Sequence, residues 1–126
     1  MKKLFVLMNH IILPEQIKQA KEILDASEVV ILSDDAWAMI NPYDDTIAED
    51  LLPYKKKLSF ESHERDYLLV QGDFGATYHM VRFALMCKLI PIYATTRRHV
   101  DEKVIDGKVV TTREFSHIRF RRYEEV

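Results

Sequence analysis

Residues 67–98, YLLVQGDFGATYHMVRFALMCKLIPIYATTRR, constrain the fold most, because they read as an apolar strand, a glycine-bearing turn, a helix and a second strand. A helix between two strands makes them parallel neighbours and brings both carboxyl ends to one edge of a sheet. Gln71, Gly72, Asp73 and Gly75 then stand beside Thr95, Thr96 and Arg97 at the edge where open α/β sheets take their ligands. The working site is expected there.

The rest of the chain alternates strand and helix signals in the same way, which predicts the α/β class. Lys3 to Met8 is an apolar run fit for a central strand, with Asn9 and His10 at its carboxyl end. Pro14 opens a helix where its missing N–H costs nothing, and Ile17, Ala20, Ile23 and Leu24 recur on one face. Glu28 to Leu32 reads as the second strand. Between Ser33 and Tyr43 the signal is ambiguous: Ser33 or Asp34 could cap a short helix containing Trp37, ended by Asn41-Pro42. Thr46 to about Ser62 reads as a longer helix that Pro53 kinks or divides. Tyr67 to Gln71, Gly75 to Lys88 and Pro91 to Thr95 complete the pattern as strand, helix and strand. Residues 97–123 have no helical period. Asp106-Gly107, between Val104-Ile105 and Val109-Val110, predicts a hairpin turn, and a bulge is expected near Ser116-His117. The expected architecture is a four-stranded parallel core extended by this hairpin, in a single domain spanning residues 1–126.

No apolar stretch reaches the roughly 18 to 20 residues of a membrane span, and the short run after Met1-Lys2-Lys3 has no small-residue cleavage site behind it. A cytoplasmic location and no membrane partner are expected. The lone Cys87 excludes an internal disulfide framework and falls on the apolar side of a helix, where cysteine packs as a small hydrophobe. Charge is distributed unevenly. Residues 1–96 carry 10 basic and 14 acidic side chains, whereas residues 97–123 carry 8 basic and 4 acidic. The basic residues alternate with apolar ones as in a strand, so they form either a ligand-facing surface or a charged strand edge that resists unwanted pairing.

Gly72 and Gly75 bracket Asp73-Phe74 between a strand and a helix, where backbone N–H groups and the helix start favour a phosphate. The string lacks the full dinucleotide fingerprint and the lysine of a P-loop, and Asp73 could equally be a plain helix cap. Thr95-Thr96-Arg97-Arg98 adds hydroxyls and guanidinium forks suited to anionic oxygens. Asn9 and His10 bring an amide and an imidazole able to move protons near neutral pH. His10, His63, His79, His99 and His117 lack the spacings of a zinc site, and only Asp73 brings a carboxylate to the edge, so no metal and no cofactor are expected.

Leu7-Met8-Asn9-His10 followed by a Pro-Glu-Gln helix start, Gln71 to Tyr78 as QGDFGATY, Pro91 to Arg97 as PIYATTR and Phe115 to Arg121 as FSHIRFR resemble, in the same order along the chain, a small stand-alone CRISPR-associated family of the Csx type. That family accompanies type III CRISPR systems and is similar to the Rossmann-like CARF proteins linked to ring nucleases. The resemblance implies a mostly parallel sheet flanked by helices, with cyclic oligoadenylate, cyclic tetra-adenylate in particular, as the ligand, and antiviral signalling switched off by opening the ring. Two copies about a two-fold axis would clasp such a ring, so a homodimer is expected; no DNA partner is. In the expected reaction the ribose 2′-hydroxyl attacks the adjacent phosphorus without a metal. Placement at the edge assigns Thr96 and Arg97 to phosphate stabilisation and His10 or His117 to protonating the leaving 5′-oxygen. Gly72 to Gly75, including Phe74, form the cradle; Asn9, Gln71 and Asp73 contact sugar or base; Thr95 binds the ligand with its hydroxyl; Arg119 and Arg121 close over the ring. A non-catalytic sensor of the same ring, or a nucleotide- or RNA-binding protein, uses these residues equally well.

Overall fold

A computed structural model describes residues 2–126. In chain order it contains β1 (Lys2–Leu7), α1 (Pro14–Ile23), β2 (Ala26–Ile31), α2 (Asp35–Ala38), a short 3-10 helix (Glu49–Leu51), α3 (Leu52–Glu61), β3 (Tyr67–Val70), α4 (Phe74–Met86), β4 (Ile90–Ile105) and β5 (Lys108–Arg122). The sheet order is β2-β1-β3-β4-β5, parallel through the first four strands and antiparallel between β4 and β5. The fold is therefore α/β with a mostly parallel five-stranded sheet and a C-terminal hairpin.

Both faces of the sheet are covered, which is why its central strands are apolar throughout instead of alternating. On one side Phe5, Leu7, Leu68 and Val70 pack against Trp37, Leu51, Tyr54, Leu58 and Met80 of α2, the 3-10 helix, α3 and α4. On the other, Leu4, Val6, Leu69, Ile92 and Phe120 pack against Ala20 of α1. Each fully buried Leu, Val or Phe contributes about 1.5–3 kcal/mol by leaving water. Cys87 is half-buried against the first of these layers. Among the described residues no helix is long and apolar enough to cross a membrane.

Local signals account for the helix starts. Pro14 occupies the first turn of α1, and the Gln16 side chain accepts the Leu13 N–H at 2.8 Å. Asp34 caps the short helix that carries Trp37, at 2.9 Å from the Trp37 N–H. Pro53 divides the 46–62 segment into the 3-10 helix and α3, since a helix accepts proline only in its first turn.

Most boundaries fall within two residues of expectation, and one differs by far more. The fourth strand does not stop at Thr95: β4 runs unbroken from the parallel sheet into the hairpin, because no Gly, Pro or Asn interrupts residues 92–105. Parallel sheet and hairpin therefore share one continuous strand. The turn falls at Asp106 (φ 51°) and Gly107 (φ 75°), both in the left-handed region that a two-residue hairpin turn requires. The bulge lies at Ile118, next to His117: Thr95 pairs with Arg119 and Thr96 with His117, leaving Ile118 without an opposite residue. Beyond it, residues 96–115 form a two-stranded arm whose every residue is exposed.

Candidate functional site

The chain leaves the carboxyl end of β1 through α1 toward β2, and the carboxyl end of β3 through α4 toward β4, on the other side of β1. Strand order thus reverses between β1 and β3, and α1 and α4 lie on opposite faces. Such a reversal opens a crevice outside the strand ends, the place where open α/β sheets bind ligands.

Three cavities open at that edge: one of about 350 Å³ lies over the ends of β1 and β2 beside Ser33 and Asp34, and the other two meet over β1 and β3. Of these two, the first, about 500 Å³, lies on the α4 side and is lined by Asn9, His10, Gln71, Gly72, Phe74, Thr77, Tyr93 and Tyr123. The second, about 450 Å³, lies on the α1 side between Met8, His10, Ile11, Leu13, Gln16, Gln71, Ala94, Thr96, Phe115 and His117. His10 and Gln71 belong to both. Gln71 is fixed there: β3 ends at Val70 while β4 continues, and Gln71 Oε1 accepts the Ala94 N–H at 2.8 Å.

Residues 2–121 match the family described as "Uncharacterized protein MJ1673 family". The chain is also 43% identical over 126 residues to "Uncharacterized protein MJ1673" of Methanocaldococcus jannaschii, with 98% of each chain covered. The chain belongs to the MJ1673 family. No solved structure matches it.

In this MJ1673-family chain the expected site residues fall into three groups. Asn9, His10, Gln71, Gly72 and Phe74 meet in the first cavity, and His10, Gln71, Thr96 and His117 in the second. A second group is engaged in holding the edge together. A Cβ on Gly72 would lie 2.7 Å from Trp37 Nε1 and 2.9 Å from its Cε2, and that indole donates to the Gln71 carbonyl at 3.0 Å. Gly72 is thus small because Trp37 fills the space beneath it. Asp73 is the helix cap, its carboxylate accepting the Ala76 N–H at 3.0 Å. Gly75 meets only ordinary contacts in the first turn of α4. Thr95 serves the bulge: its hydroxyl donates to the Arg119 carbonyl at 3.1 Å and accepts the Arg119 N–H at 3.2 Å.

The third group is a correction. Thr95-Thr96-Arg97-Arg98 cannot act as one anion site, because successive residues of a strand point to opposite faces. Thr96 lines the α1-side cavity, whereas Arg97 shares the opposite face with Tyr93 and Thr95 and stands about 13 Å beyond Tyr93 along β4. Thr96 and Arg97 therefore cannot hold the same phosphate within one chain. On Arg97's face, Arg121 lies over the Tyr93 ring at 5.6 Å and donates to its hydroxyl at 3.2 Å, while Arg119 pairs with Thr95. Arg121, Arg119 and Arg97 form a row rising from the first cavity along the arm.

The two candidate histidines differ. His117 has both ring nitrogens occupied, Nε2–H donating to Gln19 Oε1 at 2.9 Å and Nδ1 accepting from Gln16 Nε2 at 3.4 Å. The tautomer follows from the glutamines, since Gln16 Oε1 already accepts from Leu13 and Gln19 Nε2 donates to the Ile118 carbonyl at 2.9 Å. Burial pushes the His117 pKa below its usual value, with Glu15 opposing. This neutral, doubly anchored imidazole clamps the bulge and is not a free proton donor. His10 is exposed and stands where the two cavities meet.

Sequence reasoning missed the aromatic walls. Tyr93 and Tyr123 pack with ring centres 4.8 Å apart and planes tilted by 53°, and the half-buried Tyr123 hydroxyl, its pKa pushed up to about 12 by burial, donates to the Val70 carbonyl at 2.6 Å. Their signal was present in the period-two pattern, which puts Tyr93 on the ligand face of β4. Among the described residues no group of three or more His, Cys, Asp or Glu is placed to hold a metal ion.

Proposed function

We propose that the protein is a Rossmann-like, CARF-like ring nuclease that binds cyclic oligoadenylate at the carboxyl edge and opens it by attack of a ribose 2′-hydroxyl. The observation that carries this reading is the pair of cavities meeting at His10 and Gln71 at the strand-order reversal, with a row of three arginines rising from the first of them along the arm. Phosphates suit the arginines, flat bases suit the aromatic walls, and the resemblance to the Csx-type family names a ligand that combines the two.

The step needs no resident cofactor. The 2′-oxygen bonds to phosphorus as the bond to the 5′-oxygen breaks, leaving a 2′,3′-cyclic phosphate and a 5′-hydroxyl. One proton leaves the 2′-hydroxyl and one reaches the departing 5′-oxygen. With His117 clamped, His10 is the imidazole in position to exchange a proton with that oxygen. Arg121 and Arg119, beside the first cavity, stabilise charge on the phosphate, Arg97 further along the arm meets another phosphate of the ring, and the cavity walls hold the sugar for in-line attack.

A ring with rotational symmetry fits two copies about a two-fold axis, so the working form in this reading is a homodimer. The arm supplies surface for the second copy: Val100, Val104 and Val109 share one exposed face of it, and a two-stranded ribbon is marginal in water by itself.

Incubating the protein with cyclic tetra-adenylate in excess chelator and resolving the products by mass spectrometry tests the reading. Linear product ending in a 2′,3′-cyclic phosphate is expected, with His10→Ala slowing its formation about 100-fold or more. A ring retained but left intact makes the protein a sensor and overturns the enzyme; a ring not retained overturns both.

A further inference from the structure

We propose that the two cavities are successive nucleoside subsites, one adenine in each, so that the phosphodiester between them lies over His10 and Gln71. This rests on the nucleotide reading above and adds to it which linkage is cut and the smallest ligand the site recognises.

The two cavities are similar in size, about 500 and 450 Å³, each within the range of small-ligand pockets. His10 and Gln71 line both, and the Gln71 side chain is held at one end by its bond to Ala94. A backbone linking two adjacent nucleosides passes over these two shared residues. Each chamber offers an aromatic or apolar wall to a flat base: Tyr93 and Phe74 on the α4 side, Phe115 and Ile11 on the α1 side. Phe74 is 95% exposed, Ile11 88% and Phe115 65%. Three large apolar side chains standing open at the mouths of two cavities are what a stacked base would cover.

The polar groups are arranged differently. Gln71 Oε1 is taken by Ala94, which leaves its Nε2–H groups, together with His10, at the seam between the chambers. Donors at the seam suit the oxygens of a bridging phosphate, and an imidazole there reaches the 5′-oxygen of that linkage and of no other. The tyrosines and phenylalanines thus select bases while the seam acts on the bond between them.

The full chain is titrated calorimetrically with the linear 3′,5′-linked diadenylate and with 5′-adenylate. Diadenylate is expected to bind about tenfold tighter or more. Phe74→Ala and Phe115→Ala are each expected to weaken diadenylate about tenfold, and both positions are exposed enough for the fold to survive, as thermal melts would verify. Equal affinity for the mono- and dinucleotide, or indifference to Phe115→Ala, overturns the two-subsite assignment. If that happens while cyclic tetra-adenylate is still cut, the ring-nuclease reading stands without it. Tight diadenylate binding together with an uncut ring preserves the subsites and removes the nuclease.

Discussion

The strand β4 passes through two environments. Pro91 and Ile92 are buried, flanked by β3 and β5 and covered by side chains from the sheet faces; from Thr96 to Ile105 every residue is exposed and only β5 pairs with the strand. Both halves are continuous extended backbone with β-branched residues. What separates them is cover: α1 and α4 start at the carboxyl edge of the sheet and run back over its body, and the arm extends beyond them. Strand propensity makes the arm extended, but burial fixes where the core ends, and the cavities form at the step between the two regimes.

If that step is held from the body side, the largest effects come from Trp37. It is 1% exposed, and Trp37→Ala is expected to cost about 3–5 kcal/mol in urea unfolding. Gly72→Ala, which forces a methyl to within 3 Å of the same indole, is expected to cost about 1–3 kcal/mol. A loss below 1 kcal/mol from Trp37→Ala would show that the turn after β3 is not seated on it.

Next in size is the clamp at the arm's root. Gln19→Ala removes the acceptor for His117 and the donor for Ile118, for an expected cost of about 1–3 kcal/mol. Faster amide exchange confined to residues 115–120 would place the damage at the bulge. The same imidazole gives a pH dependence of definite sign. His117 binds a proton less readily when folded than when unfolded, so its contribution is complete above the unfolded value of 6.5 and declines as pH falls below it. His79, lowered by burial and by Lys55 Nζ 2.6 Å away, adds a slope of the same sign. His117→Gln is therefore expected to reduce the acid-side slope in unfolding titrations but not to abolish it; an unchanged slope would assign all of it to His79 and other groups.

The sequence announced much of this framework and little of its supports. Strands, helices, the Asp106-Gly107 turn and the bulge follow from local pattern, because each is fixed by the period or turn chemistry of a few adjacent residues. The length of β4 is not legible, since a charged sequence such as RRHVDEK signals departure from the core without saying whether the strand ends. Gly72 looked like a phosphate-binding glycine because its real neighbour, Trp37, is 35 positions away in sequence, and a single sequence carries no mark of that contact. Likewise, nothing in HIRF reveals that Gln16 and Gln19 hold His117. The splitting of Thr96 from Arg97 was legible, by contrast: strand alternation alone requires it.

Smaller effects test the arm side of the step. Gly107→Ala puts a side chain on a residue at φ 75° with open space around it, so only the left-handed backbone resists, at about 1–2 kcal/mol. That cost is expected in amide exchange at the arm tip with little change in the global unfolding midpoint, because the tip contributes nothing to either core layer. Smallest of all, Val104→Thr and Val109→Thr replace exposed methyls on one face of the arm and are expected to alter the stability of the isolated chain by less than about 0.5 kcal/mol. Measured against protein concentration, the pair becomes more informative. In a homodimer clasped by its arms, thinning this apolar face lowers the stability of the two-copy form and shifts the mass seen by light scattering toward the single chain. An identical mass profile for the variant and the natural sequence would mean that Val104 and Val109 do not meet the second copy, and that any two-fold contact is made by the body.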